Sequence, residues 1–228
     1  MPKVIVIDPG HGGSDPGASG HDIVEADFVL KMAVLVKSFL AEYDCQVLLT
    51  RSDDTYVSLA DRPKLARAVG AKLFVSLHAN AFGEARPRGF ETFIHSSADI
   101  RAARAQKAIH EAIYEAIADR TPDRGMKRAN YQVLRESGSI PAVLIEYGFL
   151  TNSDDAAYLG DDGIKRALAR ATATGIAAFA GLSRRVGRVA KWRVAVDGAQ
   201  VGAYLDPARA VAEAVSSESA RKIEITRI

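Results

Sequence analysis

The sequence predicts an α/β fold: an open, mostly parallel sheet with helices on both faces, joined to a small C-terminal α+β module of ββαβ type. Three observations carry that prediction. Short runs of Val, Ile and Leu alternate with longer segments whose apolar residues recur at helical spacing. Hydrophobic residues make up 48% of the 228, enough for one substantial core, yet no apolar run approaches the roughly 18 uncharged residues of a membrane span, so stable membrane insertion is not expected. Beyond Gly181 the alternation stops, and the arginine-rich stretch GLSRRVGRVA leads into a hairpin pattern.

Val4 to Ile7 is an apolar run closed by Asp8-Pro9-Gly10, which reads as a buried strand running into a loop. In HDIVEADFVLKMAVLVKSFL, Val29, Ala33, Val36 and Leu40 form a helical stripe with Asp22 as the expected N-cap. A strand at Cys45 to Leu49, a helix at Leu59 to Val69 closed by Gly70, and a strand at Leu73 to Leu77 follow. The pattern continues with a strand at Phe90 to Ile94, a helix at Ala98 to Ala118, strands at Tyr131 to Leu134 and Ala142 to Ile145, and a helix from Gly163 to Phe179. In sheets of this kind the working groups collect at the carboxyl ends of the strands.

This divides the chain into a catalytic domain at 1–182, a linker at 183–190 and a C-terminal module at 191–228. The module is read as KWRVAV, a turn at Asp197-Gly198, QVGAYL, a helix from Pro207 to Val215 and a last strand KIEITRI. From Arg184 onward, nine basic residues stand against five acidic ones, leaving 21 against 23 in the rest of the chain. That imbalance suits contact with an anionic polymer, and solubility alone explains it equally well. The single cysteine, Cys45, cannot form an internal disulfide, and the start MPKVIVIDPG enters a strand directly without a secretory signal, so synthesis in the cytoplasm is expected.

His11 follows the first strand, His78 the third, Glu25 lies early in the first helix, and Glu146 ends the Ala142 to Ile145 strand. Two imidazoles and one carboxylate make a catalytic zinc site with one position open, and a second carboxylate nearby can move protons. Each residue also has an ordinary reading. Glu25 stands three positions after Asp22, a capping-box spacing that on its own favours a helix-start role. His78 in VSLHAN fits a satisfied histidine at a strand end. The glycine-rich PGHGGSDPGASG around His11 lacks the Lys-Ser/Thr of a P-loop. Cys45 sits in an apolar strand and reads as core, Ser76 lacks a nucleophile elbow, and His95 and His110 have no partner pattern. His21, close to Glu25, is a minor alternative ligand.

With those positions laid out, the chain resembles the zinc-dependent N-acetylmuramoyl-L-alanine amidases of the amidase-3 family. The resemblance rests on IDPGHGGSDPGA, VEADFVL, TRSDDTYVSLADRPKLA, VSLHANAF, RGFETFI and VLIEYGFLTNSDD, in that order, from about residue 3 to about residue 180. It implies that His11, Glu25 and His78 hold one zinc ion, that Glu146 is the catalytic carboxylate, and that the bond cut is the amide between N-acetylmuramic acid and L-alanine in peptidoglycan. The ligand reading of Glu25 then displaces the capping one. Glu91 in the RGFETFI motif is placed as a support of the site or a cleft-lining residue, and an exposed strand glutamate is the competing reading. Asn80 is placed as an amide that orients substrate or ends its strand, and Arg62 as one half of an ion pair.

The C-terminal module resembles, more weakly, small targeting domains of lysins from Bacillus-type bacteria and their phages. Its basic balance, with Trp192 and Tyr204, suits an anionic wall polymer; core packing accounts for both rings equally. Two rival functions are a zinc peptidase cutting within the stem peptide and a wall-binding protein without catalysis. Nucleic-acid binding has no reading motif to support it. Access to the wall is expected after release, through a phage membrane hole or by host-cell lysis.

Overall fold

The computed structural model describes residues 2–185 and the backbone of 192–196, 199–204 and 223–227. The chain divides into two units, Met1–Ser183 and Arg184–Ile228.

In chain order the first unit contains β1 (Lys3–Pro9), a small hairpin of β2 (Ser19–Gly20) and β3 (Ile23–Val24), α1 (Glu25–Leu40), β4 (Cys45–Leu49), α2 (Asp61–Ala68) and β5 (Leu73–Asn80). There follow β6 (Phe90–His95), α3 (Ile100–Ile117), β7 (Asp123–Ala129), α4 (Gln132–Arg135), β8 (Ala142–Phe149), α5 (Ser153–Gly160) and α6 (Asp162–Ala180). Six strands form one sheet in the order β4-β1-β5-β8-β6-β7. All neighbours are parallel except β6 and β8, so the mostly parallel sheet expected from the alternation is what forms.

Side chains alternate across a strand, and here the alternation sorts them onto two unlike faces. Ile5, Ile7, Leu73, Val75, Leu77, Val143 and Ile145 point to one side, where they pack with α1, α3 and α6. Val6, Phe74, Phe93 and Leu144 point to the other, under α2 and the short α4, in a much smaller cluster. Burial on both faces explains why the central strands read as continuous apolar runs rather than as alternating ones. Cys45 is buried, as a core residue should be.

Two sequence expectations fail. Tyr131 to Leu134 is not a strand: the Tyr131 carbonyl accepts from the amides of Leu134 and Arg135 to open α4, whose Val133 and Leu134 are both buried. The strand of this region is β7, whose sequence DRGMKRA carries no apolar period because it is an edge, bonded on one side only to β6. Asp22 does not cap α1 either. Its φ of 63°, with 50° at His21, makes the turn between β2 and β3, and an N-cap requires an extended backbone. The helix starts at Glu25 after Val24, without a side-chain cap. The short α5 was not expected from the sequence; Asn152 caps it, its side chain accepting from the amides of Asp154 and Asp155.

In the second unit, β9 (Trp192–Val196) is flanked by β10 (Ala199–Tyr204) and β11 (Ile223–Arg227), both antiparallel to it. These are the three strands the sequence placed there. The turn at Asp197-Gly198, the helix from Pro207 to Val215 and linker residues 186–190 lie outside the described residues. No helix among the described residues is long and apolar enough to cross a membrane.

Candidate metal centre

The carboxyl ends of the central strands bring the predicted residues together. β5 and β8 run further than their apolar runs suggest, so His78 and Glu146 lie within them rather than after them. The register pairs His78 with Glu146 across β5 and β8, and Glu146 with Glu91 across β8 and β6, which sets all three side chains in one row on the thinly covered face. His11 follows β1 in the loop anchored by the Gly10 amide on the Leu77 carbonyl.

His11, Glu25 and His78 each offer one ligand atom, and the three atoms lie within 4.8 Å of one another. Glu25 Oε1 is 3.1 Å from His11 Nε2 and 3.0 Å from His78 Nδ1. The same carboxylate is held by two backbone amides, Ala18 on Oε2 at 2.9 Å and Ala79 on Oε1 at 3.1 Å, so it is positioned from both sides instead of reaching back over its helix start. Asp15 Oδ2 accepts from His11 Nδ1 at 2.9 Å, which leaves Nε2 directed at the centre. His21 is exposed and does not belong to the group.

Glycines in PGHGGSDPGASG supply space rather than a phosphate cradle. A Cβ on Gly10 would lie 2.2 Å from His78 Cε1, and one on Gly17, whose φ is +67°, would lie 2.7 Å from Glu25 Oε2. Only residues without side chains let the ligand groups pack this closely against the loop.

The charges are strongly coupled. Burial works against the imidazolium of His11, but its hydrogen bonds and attraction to Glu25 and Asp15 win, and its pKa rises above the ordinary value. Burial would raise Glu25, yet the hydrogen bonds and charges of His11 and His78 hold it far below the usual carboxylate range. Glu146 has no such partners. Burial, then repulsion from Glu25 and Glu91, pushes it well above that range. As a residue Glu146 is partly exposed at the cleft, but its Oε2 is buried without a hydrogen-bond partner.

Glu91 is buried, not an exposed strand residue, and it binds the side chains of Arg124, at 2.9 Å, and Lys127. Asn80 uses both ends of its amide within the protein: Nδ2 donates to Glu91 Oε1 at 2.8 Å and Oδ1 accepts from the Ala81 amide. Arg62 forms the expected ion pair, with Asp8 at 3.0 Å. His110 is buried between Thr92 and Asp123, and His95 bonds Asn130 at the surface, both outside the centre.

His11, Glu25, His78, Glu146 and Asn80 line one cleft of about 290 Å³, together with Leu59 and Tyr131, which the sequence reading did not single out. Tyr131 was hidden because its segment was read as a strand; its ring packs edge-on against Phe93 beside the cleft. A larger cavity, about 1000 Å³, opens among Lys3, Lys72, Arg101 and Arg104 at the opposite ends of the strands. Among the described residues it brings together no metal-ligand set, so volume alone does not locate the site.

The donor set and its supports fit zinc: two imidazole nitrogens and one carboxylate oxygen converge, each ligand side chain is held by a further protein group, and a side of the cleft stays open. Comparison with known proteins identifies the family. Residues 5–178 match the Amidase_3 family model, described as N-acetylmuramoyl-L-alanine amidase. The chain is 42% identical over 191 residues to an endolysin of Bacillus phage SPP1, covering 82% of this chain and 69% of the endolysin. It is 41% identical over 174 residues to a sporulation-specific N-acetylmuramoyl-L-alanine amidase of Bacillus subtilis, covering 75% of this chain and 66% of that enzyme. The solved catalytic domain of CwlV, an N-acetylmuramoyl-L-alanine amidase from Bacillus (Paenibacillus) polymyxa var. colistinus, superposes with a TM-score of 0.75 at 38% identity, over 79% of this chain and 99% of that domain. Sheet, ligand cluster and relatives therefore agree: the chain belongs to the Amidase_3 family of N-acetylmuramoyl-L-alanine amidases.

Proposed function

We propose that this protein hydrolyses the amide between N-acetylmuramic acid and L-alanine in peptidoglycan, with His11, Glu25 and His78 holding one zinc ion and Glu146 transferring the proton. The observation that carries the reading is the unpartnered Oε2 of Glu146, set in the same cleft as a three-residue ligand cluster. The chemistry a zinc ion supplies in such a site is Lewis acidity toward a carbonyl and a water pKa lowered to about 7.

The protein's own residues do the rest. The raised pKa of Glu146 suits a group that must take up a proton at Oε2 and give it away again to the leaving amine nitrogen. Asp15 keeps His11 in the orientation that turns Nε2 to the centre, and the amides of Ala18 and Ala79 fix Glu25. Glu91 acts behind the site: ion-paired with Arg124 and Lys127 and bonded to Asn80, it anchors the strand that flanks Glu146. Leu59 and Tyr131 supply the apolar wall against which a sugar or a lactyl group can pack.

A phage endolysin and a sporulation-specific amidase are both among the relatives, which supports action on the cell wall. The basic excess after Arg184 supports contact of the second unit with anionic wall polymer. The reaction is tested by digesting purified peptidoglycan and identifying products by mass spectrometry, with chelator and with zinc restored. Intact stem peptides carrying a free L-alanine amino terminus, lost with chelator and regained with zinc, are expected. Shortened peptides still attached to muramic acid would make the enzyme a peptidase, and absence of products would favour a binding protein.

A further inference from the structure

Behind His78 runs a line of buried polar groups that leads away from the cleft and ends on a side chain the reaction does not use. His78 Nε2 lies 3.1 Å from Ser76 Oγ, and Ser76 Oγ donates to Asp8 Oδ2 at 2.6 Å. Asp8 Oδ1 accepts from Arg62 Nη1 at 3.0 Å and from Thr50 Oγ1 at 2.5 Å. Asp8 and Ser76 are fully buried and Arg62 is 2% exposed. Burying an ion pair costs desolvation on both partners, so a chain made of one calls for an explanation beyond stability.

The direction of each bond is set by chemistry. A guanidinium only donates, so Asp8 accepts from Arg62. The carboxylate of Asp8 accepts again from Ser76, which commits the single serine proton to Asp8. Ser76 Oγ is then left with lone pairs, and accepts the Nε2 proton of His78. The contact places a proton on Nε2, which leaves Nδ1 as the nitrogen turned to the centre beside Glu25.

Arg62 also reaches the other histidine. Its Nη2 donates to the His11 carbonyl at 2.8 Å and Nη1 to the Pro9 carbonyl at 2.8 Å. His11 has a φ of 58°, a left-handed backbone that a residue with a side chain adopts only where its surroundings hold it. One buried guanidinium thus grips the backbone of one ligand and, through two intermediates, sets the proton of the other.

We infer that Arg62, Asp8 and Ser76 are positioning residues that hold both histidines for the metal, one by its backbone carbonyl and one by the hydrogen bond at its Nε2. The inference rests on the zinc reading of the site and goes beyond it by assigning the polarity of the groups behind the ligands. None of the three touches the cleft, and Ser76 in particular is no nucleophile, since its proton is committed to Asp8 and it is shut off from solvent.

The test uses the full chain and zinc itself, measured by competition with a chromogenic chelator. Ser76→Ala removes the relay and keeps the Arg62 and Asp8 pair; zinc affinity should fall about tenfold to a hundredfold. Asp8→Asn should lose a similar factor, because an amide can donate to Ser76 and turn its proton toward Nε2. Circular dichroism establishes that each variant is folded. In the zinc-loaded wild type, 15N NMR of the imidazoles should show His78 protonated at Nε2, with that proton protected from solvent exchange by Ser76 and the protection lost in folded Ser76→Ala, a signature that a purely structural role would not move. Wild-type affinity in folded Ser76→Ala and Asp8→Asn would overturn the inference while leaving the zinc reading intact, as would a His78 proton on Nδ1. Failure of the wild type to bind zinc would overturn the reading on which it rests.

Discussion

The two faces of the six-stranded sheet are built from the same strands and do different work. Odd-numbered residues of β1, β5 and β8, such as Ile5, Leu77 and Ile145, enter a deep apolar layer closed by three long helices. Even-numbered residues of the same strands begin apolar, at Val6, Phe74 and Leu144, and turn polar toward the carboxyl ends, at Asp8, Ser76, His78 and Glu146. Among the described residues of the first unit, the helices on the second face are α2 and the four-residue α4, which leave it open where the polar row begins. Stability is concentrated on one side of each strand and chemistry on the other, one residue apart. Changes one position apart in sequence should therefore fail in different ways.

The largest expected effect is on catalysis. Glu146→Gln keeps the shape of the side chain and removes its ability to carry a proton; turnover of peptidoglycan should fall by about 10²- to 10⁴-fold while zinc stoichiometry, measured by metal analysis, is unchanged. A fully active variant would take Glu146 out of the mechanism. On the opposite face, Leu77→Ala next to His78 should cost about 2–5 kcal/mol of stability in denaturant unfolding, with zinc affinity retained in the fraction that is folded. If it removed the metal instead, the division of labour between the faces would be wrong.

Gly10→Ala sharpens the contrast, because its Cβ would collide with the His78 ring and not with the apolar layer. Zinc affinity should drop by about tenfold or more, comparable to loss of an outer-shell partner, with a smaller change in unfolding midpoint. Acid should act on the same face. The raised pKa of His11 in the metal-free protein means that its imidazolium persists to higher pH than usual, and only the neutral ring can bind a metal. Zinc affinity is thus full above that pKa and declines as pH falls through it, a slope that chelator competition across pH would show. The smallest effect is a helix end far from the centre: Asp99→Ala, which removes the cap on α3, should cost about 1 kcal/mol and leave zinc binding untouched.

What was legible in the sequence follows the same division. The apolar runs of β1, β5 and β8 and the stripe of α1 announce themselves by period, because packing on the thick face demands it. His11, Glu25, His78 and Glu146 could be placed near strand ends and a helix start, but capping-box spacing explained Glu25, and a satisfied strand-end position explained His78, just as well; only the set of motifs in order made the ligand reading of Glu25 stronger. The edge strand β7 was invisible because its face is charged: Lys127 and Arg124 serve Glu91 rather than a core. That Asn80 spends its amide on Glu91, and that Tyr131 opens a helix at the cleft, depend on contacts across strands far apart in the chain. The turn at His21 and Asp22 takes a left-handed backbone that the residue types alone do not signal.

The central claim is that the open face of this sheet holds one zinc ion on His11, Glu25 and His78. Anomalous diffraction at the zinc edge from crystals grown with one equivalent of zinc tests it most directly. A single strong peak among His11 Nε2, Glu25 Oε1 and His78 Nδ1, facing Glu146, is the predicted result. A peak elsewhere, or none at this position in a fully folded protein, would contradict it.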